Sequence, residues 1–582
     1  MTQKDSSKEQ ASTDSPIKPK RLGAAQQFLF QKQKTILSAA FLIMVLSLAS
    51  RILGLVRDRL LASYFGSGPD LASYLAAFRL PDFIFQVLIF GTITVSFIPI
   101  FTELSQKEGS IKLWRSVSNI INLSFIFFAA ISLLCFIFVE PLVAMIAPGL
   151  VVDPAQHATL INLTRVMIIA QLFLAVSSFF TGILQSNQRF LIPALAPVFY
   201  NLGIISGAIL LSDNLGIYGP AIGVVLGAMM HFLIQVPAIY ASGFKYHLVL
   251  SPKDKDLIKL IRLGLPRSVG LFASQINETV DIALASLISA KSIVAFNFAS
   301  HLYVVPIGLF GATIAQAALP TLSLEYARRN IEAFKKTILT SMHQMLFLVV
   351  PAAICLIVLR IPLVRLVFGA SEFDWPATVL TGRTLATLSF GIAAQSILLL
   401  IVRAFYALHD TVTPLKIGFL SVITNVVLSL LFVQEFHLPV WALGFSGSIA
   451  AIINLVLLIF FLDRRVGKFS RKELFLPAIK IFAAGFFMAL SLYIPIKLLD
   501  QLIFDTTRTI NLIILTGIST IAGFTVYLFL TNIFRVEEVR LFWSLVRKIR
   551  STIRKEAAMV EPGTVTTIID DATSGSSDQK IS

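Results

Sequence analysis

The chain has 582 residues, 56% of them hydrophobic, and a mean hydropathy of +0.82. No soluble domain of this length is so apolar, so the composition excludes a soluble enzyme and indicates a polytopic membrane protein. The formal charge of +16 would suggest nucleic acid in a soluble chain. Here the basic residues sit in short loops, where membrane topology accounts for them and no nucleic-acid partner is expected.

Residues 1–34 are polar and aperiodic and read as a disordered cytoplasmic tail. No cleavable signal is evident, because the apolar run after the tail continues into Arg51. Fourteen spans follow, at roughly 35–62, 73–101, 117–139, 160–187, 190–212, 216–243, 263–288, 292–324, 337–359, 379–402, 414–434, 438–462, 474–496 and 509–534. Each can cross a hydrocarbon core, which needs about 20 residues. Residues 535–582 read as a basic, partly amphipathic cytoplasmic helix and a disordered tail. With the N-terminus inside, the inner loops and tails hold 36 of the 48 Lys and Arg residues, and the outer loops and ends hold 7. This asymmetry predicts that both termini are cytoplasmic.

Three weak matches recur in order at an offset of about 216–221 residues. Arg51-x-x-Gly54 matches Arg267-x-x-Gly270; Phe90-Gly91 with Pro99 matches Phe310-Gly311 with Pro320; Arg189 to Pro193 matches Asp410 to Pro414. A repeat of six spans, an even number, predicts parallel lobes about an axis along the membrane normal. The expected all-α architecture is therefore an N-lobe (35–243), a C-lobe (263–462) and two further helices (474–534).

Charges at membrane depth gather in spans 1, 2 and 7: Arg51, Arg57, Asp58, Arg79, Asp82, Arg267, Glu278 and Asp281. Such residues line a substrate pathway, or they snorkel from span ends or pair locally to hold helices together. Arg51, Gly54 and Asp58 share one helix face. Gln275, Asn277, Glu278 and Asp281 make span 7 polar enough for a small cation or protons, or for interhelical hydrogen bonding. His301 stands in a stretch, 292–324, without Lys, Arg, Asp or Glu, and reads as a packing residue or a ligand. There is no Gly-rich Lys loop for ATP, no Gly-x-Ser-x-Gly and no zinc motif, and Cys135 and Cys355 lie in separate spans. No enzyme is expected.

Ser50-Arg-Ile-Leu-Gly-Leu-Val-Arg-Asp58, Phe65-Gly-Ser-Gly68 and Ala77-Phe-Arg-Leu-Pro81 resemble the opening of the MurJ/MviN family of lipid II flippases. Further segments resemble the family in the same order. These are Arg189-Phe-x-x-Pro193 with Ala196, Pro197 and Asn201; Pro266-Arg267-x-x-Gly270 with Gln275, Asn277 and Asp281; Pro306 to Gly311; Ala318 to Leu322; and Arg403 to Asp410 with Pro414. The resemblance implies the multidrug/oligosaccharidyl-lipid/polysaccharide exporter fold. It also implies flipping of lipid II, or a similar polyprenyl-pyrophosphate-linked glycan, across the bacterial cytoplasmic membrane by alternating access, in cell wall synthesis.

Arg51 and Arg57 match family positions that meet pyrophosphate, and guanidinium suits phosphate because it stays charged and offers forked donors. With them the resemblance implies Asp58, Arg79, Arg267 and His301 as substrate-binding residues. Asp281 and Asn425 match a sodium site found in some members, and Ser429 stands there where a carboxylate can be; with no nucleotide site, membrane potential or a sodium or proton gradient is the expected drive, with no other cofactor. Residues 474–534 match the groove for the lipid tail. Membrane lipids and cell wall synthesis proteins are the other implied partners. The chain departs from the family pattern in span 2, with Asp82 and Phe85-x-x-x-x-Phe90-Gly91, and in span 8, where His301 stands at an expected arginine. Export of another lipid-linked glycan, or a non-transporting scaffold of envelope synthesis, are the competing readings. A multidrug exporter is disfavoured because the cavity residues read as net basic.

Overall fold

The computed structural model describes residues 36–90, 96–107, 109–502, 509–540, 543, 544, 547 and 551. The expected tails 1–34 and 556–582 lie outside these residues, as does most of 541–555. All regular structure among the described residues is helical. The helices are α1 (Ile36–Phe65), α2 (Pro69–Ala77), α3 (Arg79–Phe85), α4 (Ile98–Lys107), α5 (Ser110–Ile137), α6 (Val139–Ile146), α7 (Pro154–Ser186), α8 (Leu191–Leu215), α9 (Tyr218–Leu233), α10 (Val236–Ala241) and α11 (Lys255–Ile288). They continue with α12 (Ala290–Pro306), α13 (Thr313–Ala327), α14 (Ile331–Val358), α15 (Arg360–Phe368), α16 (Trp375–Ser389), α17 (Ile392–Ala407), α18 (Val412–Leu430), α19 (Trp441–Arg465), α20 (Arg471–Leu502) and α21 (Thr509–Ile533).

Among the described residues, eleven helices are long and apolar enough to cross a membrane, or twelve if the bent pair α16–α17 is one span. That is short of the fourteen expected. The other two expected positions hold α1, with 30 residues, and α11, with 34. Both are long enough to span, but each carries several ionisable residues. The chain is thus an all-α, multi-pass membrane protein.

The helices form two compact units. One comprises Met1–Leu302, Ile361–Leu388 and Leu415–Ala450; the other comprises Tyr303–Arg360, Ser389–Pro414 and Ala451–Ser582. In the first unit an aromatic core joins α4, α5, α7 and the start of the 244–254 linker. Phe97 meets Phe179 edge-on at 5.3 Å, and Trp114 meets Phe244 edge-on at 5.3 Å. The linker itself runs extended along α5. Asn119 donates to the Ser251 carbonyl (3.0 Å) and accepts from its N–H (2.7 Å), while Asn122 donates to the carbonyls of His247 and Val249. Buried amides here stand in for the strand partner that a lone extended segment lacks.

Helices α8 and α9 touch backbone to backbone. A Cβ at Gly203 would lie 2.3 Å from Gly227 Cα, and one at Gly207 would lie 2.5 Å from Gly223 Cα. Between membrane helices such close approach supplies the packing that lipid cannot drive hydrophobically. On the opposite side α8 packs against α1, which fixes the charged half of α1 within the unit.

In the second unit α14 packs against α17 and α20, and α20 packs along α21. Tyr527 donates its hydroxyl to the Phe347 carbonyl at 2.8 Å. Apolar side chains such as Phe482, Phe486, Ile510, Ile521 and Phe529 are exposed on α20 and α21, as expected where the solvent is lipid.

Two π-helical segments, Gln86–Phe90 and Ile307–Ala312, begin 221 residues apart. They fall on the Phe-Gly segments of the internal repeat, at the offset read from the sequence. A third, Leu431–Glu435, ends the span of α18.

Candidate functional site

Polar residues of the first unit gather in several hydrogen-bonded groups, and Asp58 anchors the one on α1. This carboxylate is 2% exposed. Arg57 donates to its Oδ1 through Nη2 (2.8 Å) and Nε (3.0 Å), and His301 Nδ1 lies 2.7 Å from its Oδ2. A carboxylate only accepts, so the proton between Asp58 and His301 is carried on Nδ1. Arg57 also donates through Nη1 to Asn201 Oδ1 (3.2 Å). Asn201 in turn donates to the Pro197 carbonyl (3.0 Å) and the Ser50 hydroxyl (3.3 Å).

Tyr200, next to Asn201 on α8, lies within electrostatic reach of both Arg57 and Asp82. Gln171 of α7 donates to Asp82 Oδ1 at 2.7 Å. Arg79 pairs with Glu278 of α11 at 2.5 Å. On the same helix Asp281 accepts from Asn425 of α18 (3.2 Å) and weakly from Asn277 (3.5 Å), and Asn425 also donates to the Asn277 side-chain oxygen (2.9 Å). Four carboxylates, Asp58, Asp82, Glu278 and Asp281, therefore stand with two arginines, Arg57 and Arg79.

Among the expected substrate-binding residues, Arg57, Asp58 and His301 are in direct contact. Arg79 pairs instead with Glu278 and lies within electrostatic reach of Asp82. Arg51 is exposed on α1, nearly two turns before Arg57. Arg267 falls within α11, and its side chain is outside the described residues. Among the expected cation-binding residues, Asp281 and Asn425 are bonded, while Ser429 shares a hydrogen bond with Ser446 at 2.6 Å.

The side-chain oxygen of Asn425 is buried and finds no hydrogen-bond partner among the described residues. With Asp281 it offers hard oxygen ligands of the kind sodium takes. The described residues contain no cluster of three His, Cys, Asp or Glu suited to a metal ion.

Sequence reasoning passed over Asn201, Tyr200, Tyr74 and Gln171 as members of the site. Asn201 carried a signal, an amide alone in an otherwise apolar helix face. Tyr74 carried none: its hydroxyl is buried near Arg57 without a hydrogen-bond partner among the described residues, which only the fold reveals.

A family model described as lipid II flippase MurJ matches residues 61–526. A probable lipid II flippase MurJ from Bdellovibrio bacteriovorus is 28% identical over 469 residues, covering 80% of this chain and 89% of that protein. The lipid II flippase MurJ of Burkholderia cenocepacia is 24% identical, covering 72% and 82%. Among solved structures, a lipid II flippase MurJ in an inward closed conformation matches with a TM-score of 0.71 at 25% identity, covering 85% of this chain and 98% of that one. An inward-facing multidrug resistance MATE family transporter of the MOP superfamily matches in fold, with a TM-score of 0.62 at 16% identity, covering 74% and 98%.

Proposed function

The chain belongs to the lipid II flippase MurJ family, and from that premise we propose that it carries lipid II from the inner to the outer leaflet of the bacterial cytoplasmic membrane. The family match over residues 61–526 carries this reading. The work is transport by alternating access of two lobes, 35–243 and 263–462, with both termini cytoplasmic. Arg51 and Arg57 of α1, with Arg79, Arg267 and His301, receive the pyrophosphate. Asp58 holds Arg57 and His301 in place. Helices α20 and α21 accommodate the polyprenyl tail along their exposed apolar faces. A sodium ion at Asp281 and Asn425, or protons, would couple the cycle to an ion gradient; the orphaned Asn425 oxygen supports the sodium assignment. Ser429, one turn beyond Asn425, completes the candidate set. Membrane lipids and cell wall synthesis proteins are its further partners.

The test is rescue of a bacterium depleted of its own lipid II flippase, with lipid II exposed on the outer leaflet as the readout. Wild type rescues and restores exposure, whereas Arg51→Ala and Arg57→Ala at matched membrane levels do not. A well-inserted wild type that leaves lipid II on the inner leaflet overturns the reading in favour of another lipid-linked glycan. Rescue by both arginine variants would indicate a scaffold role.

A further inference from the structure

The Arg57–Asp58–His301 trio is built differently from a set of fixed cationic contacts. Asp58 Oδ1 is taken by Arg57 and Oδ2 by His301, so the Arg57 charge is already neutralised by its neighbour. His301 uses Nδ1 on the carboxylate. Its side chain is 37% exposed, which leaves Nε2 as the group the ring can offer to a ligand. Neutral, Nε2 presents a lone pair, which repels a phosphate oxygen. Protonated, it becomes an N–H donor on a cation while Nδ1 keeps its bond to Asp58. One proton therefore converts the trio from net neutral to net positive. Arg79 is likewise already paired, with Glu278 of α11.

We propose that His301, held by Asp58, is a proton-dependent anion grip. It binds a phosphate oxygen of the diphosphate-linked lipid through Nε2 when the ring carries a second proton. Substrate binding takes up that proton from solvent, and substrate release returns it. Where a family arginine would hold its charge at all pH, this chain makes the charge conditional. The inference rests on the flippase reading and adds the residue at which headgroup and proton are coupled.

Other groups near the trio can titrate, and the test must separate them. Among the described residues these are Asp58 and Arg57 of α1 in direct contact, Tyr74 of α2 and Tyr200 of α8 within reach of Arg57, and Asp82, Glu278 and Asp281 further along the network. On α12 itself the nearest charged residue is Lys291, about three turns away.

The experiment is calorimetric titration of the purified full-length protein with farnesyl diphosphate at pH 6, 7 and 8. Two buffers of different ionisation enthalpy give proton uptake at each pH, and wild type, H301R and H301Q are compared. H301R carries a fixed charge and so reports the titration of the probe and of all other groups. Relative to H301R, wild type takes up as much as one additional proton on binding, and its affinity falls by as much as about tenfold per pH unit once the ring loses its proton. H301Q binds weakly, with the pH profile of H301R. Identical profiles for wild type and H301R, or a wild-type slope retained in H301Q, overturn the proton grip and leave the flippase reading standing. Absence of binding at every pH in all three proteins overturns the grip as well, and the rescue assay then decides separately whether the flippase reading survives.

Discussion

Asp58→Asn is the most informative single change, because it keeps the shape of the anchor and removes its charge. In the wild type the carboxylate accepts two donors from Arg57 and one from His301 while only 2% exposed. The amide can still accept from Arg57 through its oxygen. Its NH2 group faces His301 and must donate to Nδ1, which forces the ring into the opposite tautomer and disfavours its second proton. Arg57 is left without a counterion. Breaking a fully buried pair costs about 3–5 kcal/mol. The Arg57 side chain is 21% exposed and that of His301 37%, so water screens part of the loss, and about 2–3 kcal/mol is the expected range. In detergent, heat-induced unfolding followed by tryptophan fluorescence should shift down by several degrees. A double-mutant cycle of Asp58→Asn with His301→Gln at pH 5.5 should give a coupling of about 1.5–3 kcal/mol, as for a hydrogen bond to a charged group. Lipid II exposure should be lost in the same variant. A variant with wild-type melting, no coupling to position 301 and full flipping would refute the view that Asp58 organises the site.

Three further outcomes follow from other parts of the molecule. Gly203→Ala places a methyl group where Gly227 Cα would lie 2.3 Å away; α8 and α9 must part, and thermal melting should report a loss of about 1–3 kcal/mol, whereas Gly109→Ala, with nothing within 4 Å, should be silent. Asp410 caps α18, accepting from the N–H groups of Val412 and Thr413, the Thr413 hydroxyl and Arg465. Burial works against its charge, but these donors outweigh it and hold the carboxyl below its usual range. Its contribution is therefore complete above the unfolded carboxylate pKa of about 3.9 and is lost as pH falls through the lower folded value. Asp410→Ala should cost about 1 kcal/mol at pH 7, and should cost progressively less as pH falls below about 4, measured by melting across pH. Sodium, but not choline, should raise the melting temperature of the wild type, and Asp281→Asn should abolish the difference; equal responses to the two cations would remove the sodium assignment.

The sequence carried the fold class because lipid imposes it. Long apolar runs have to be helices where backbone groups find no water. Two π-helical segments, Gln86–Phe90 and Ile307–Ala312, begin at nearly the offset of the repeat read from the sequence. Arg57 and Asp58 announced themselves as costly charges in an apolar helix. Their partner did not. His301 lies 243 residues from Asp58, and nothing about a lone imidazole distinguishes one that packs from one that meets a carboxylate. The pairing of Arg79 with Glu278, across 199 residues, was equally silent, since it depends on how α3 and α11 approach. The charge balance of the site followed the same rule. The acidic residues were as plain in the sequence as the arginines, but which partner each one meets was not.

That balance bears on how the cycle closes. A transporter must return empty as well as cross loaded, and each state is limited by the charge left unpaired in a poorly solvated interior. A cavity of fixed arginines is well matched to an anion when loaded but strongly unbalanced when empty. Here Arg57 carries its counterion beside it, and the proposed grip adds to the receiving arginines a charge on a histidine that can be removed. With a diphosphate bound, the protonated ring is compensated by the ligand. With the ligand gone, the same ring loses its proton and the trio returns to neutrality. Both legs of the cycle then cross without a large unpaired charge. The protonation of His301 should accordingly set the balance between them: acid favours the loaded state, alkali favours the empty return, and replacing His301 by arginine should tighten binding while slowing turnover.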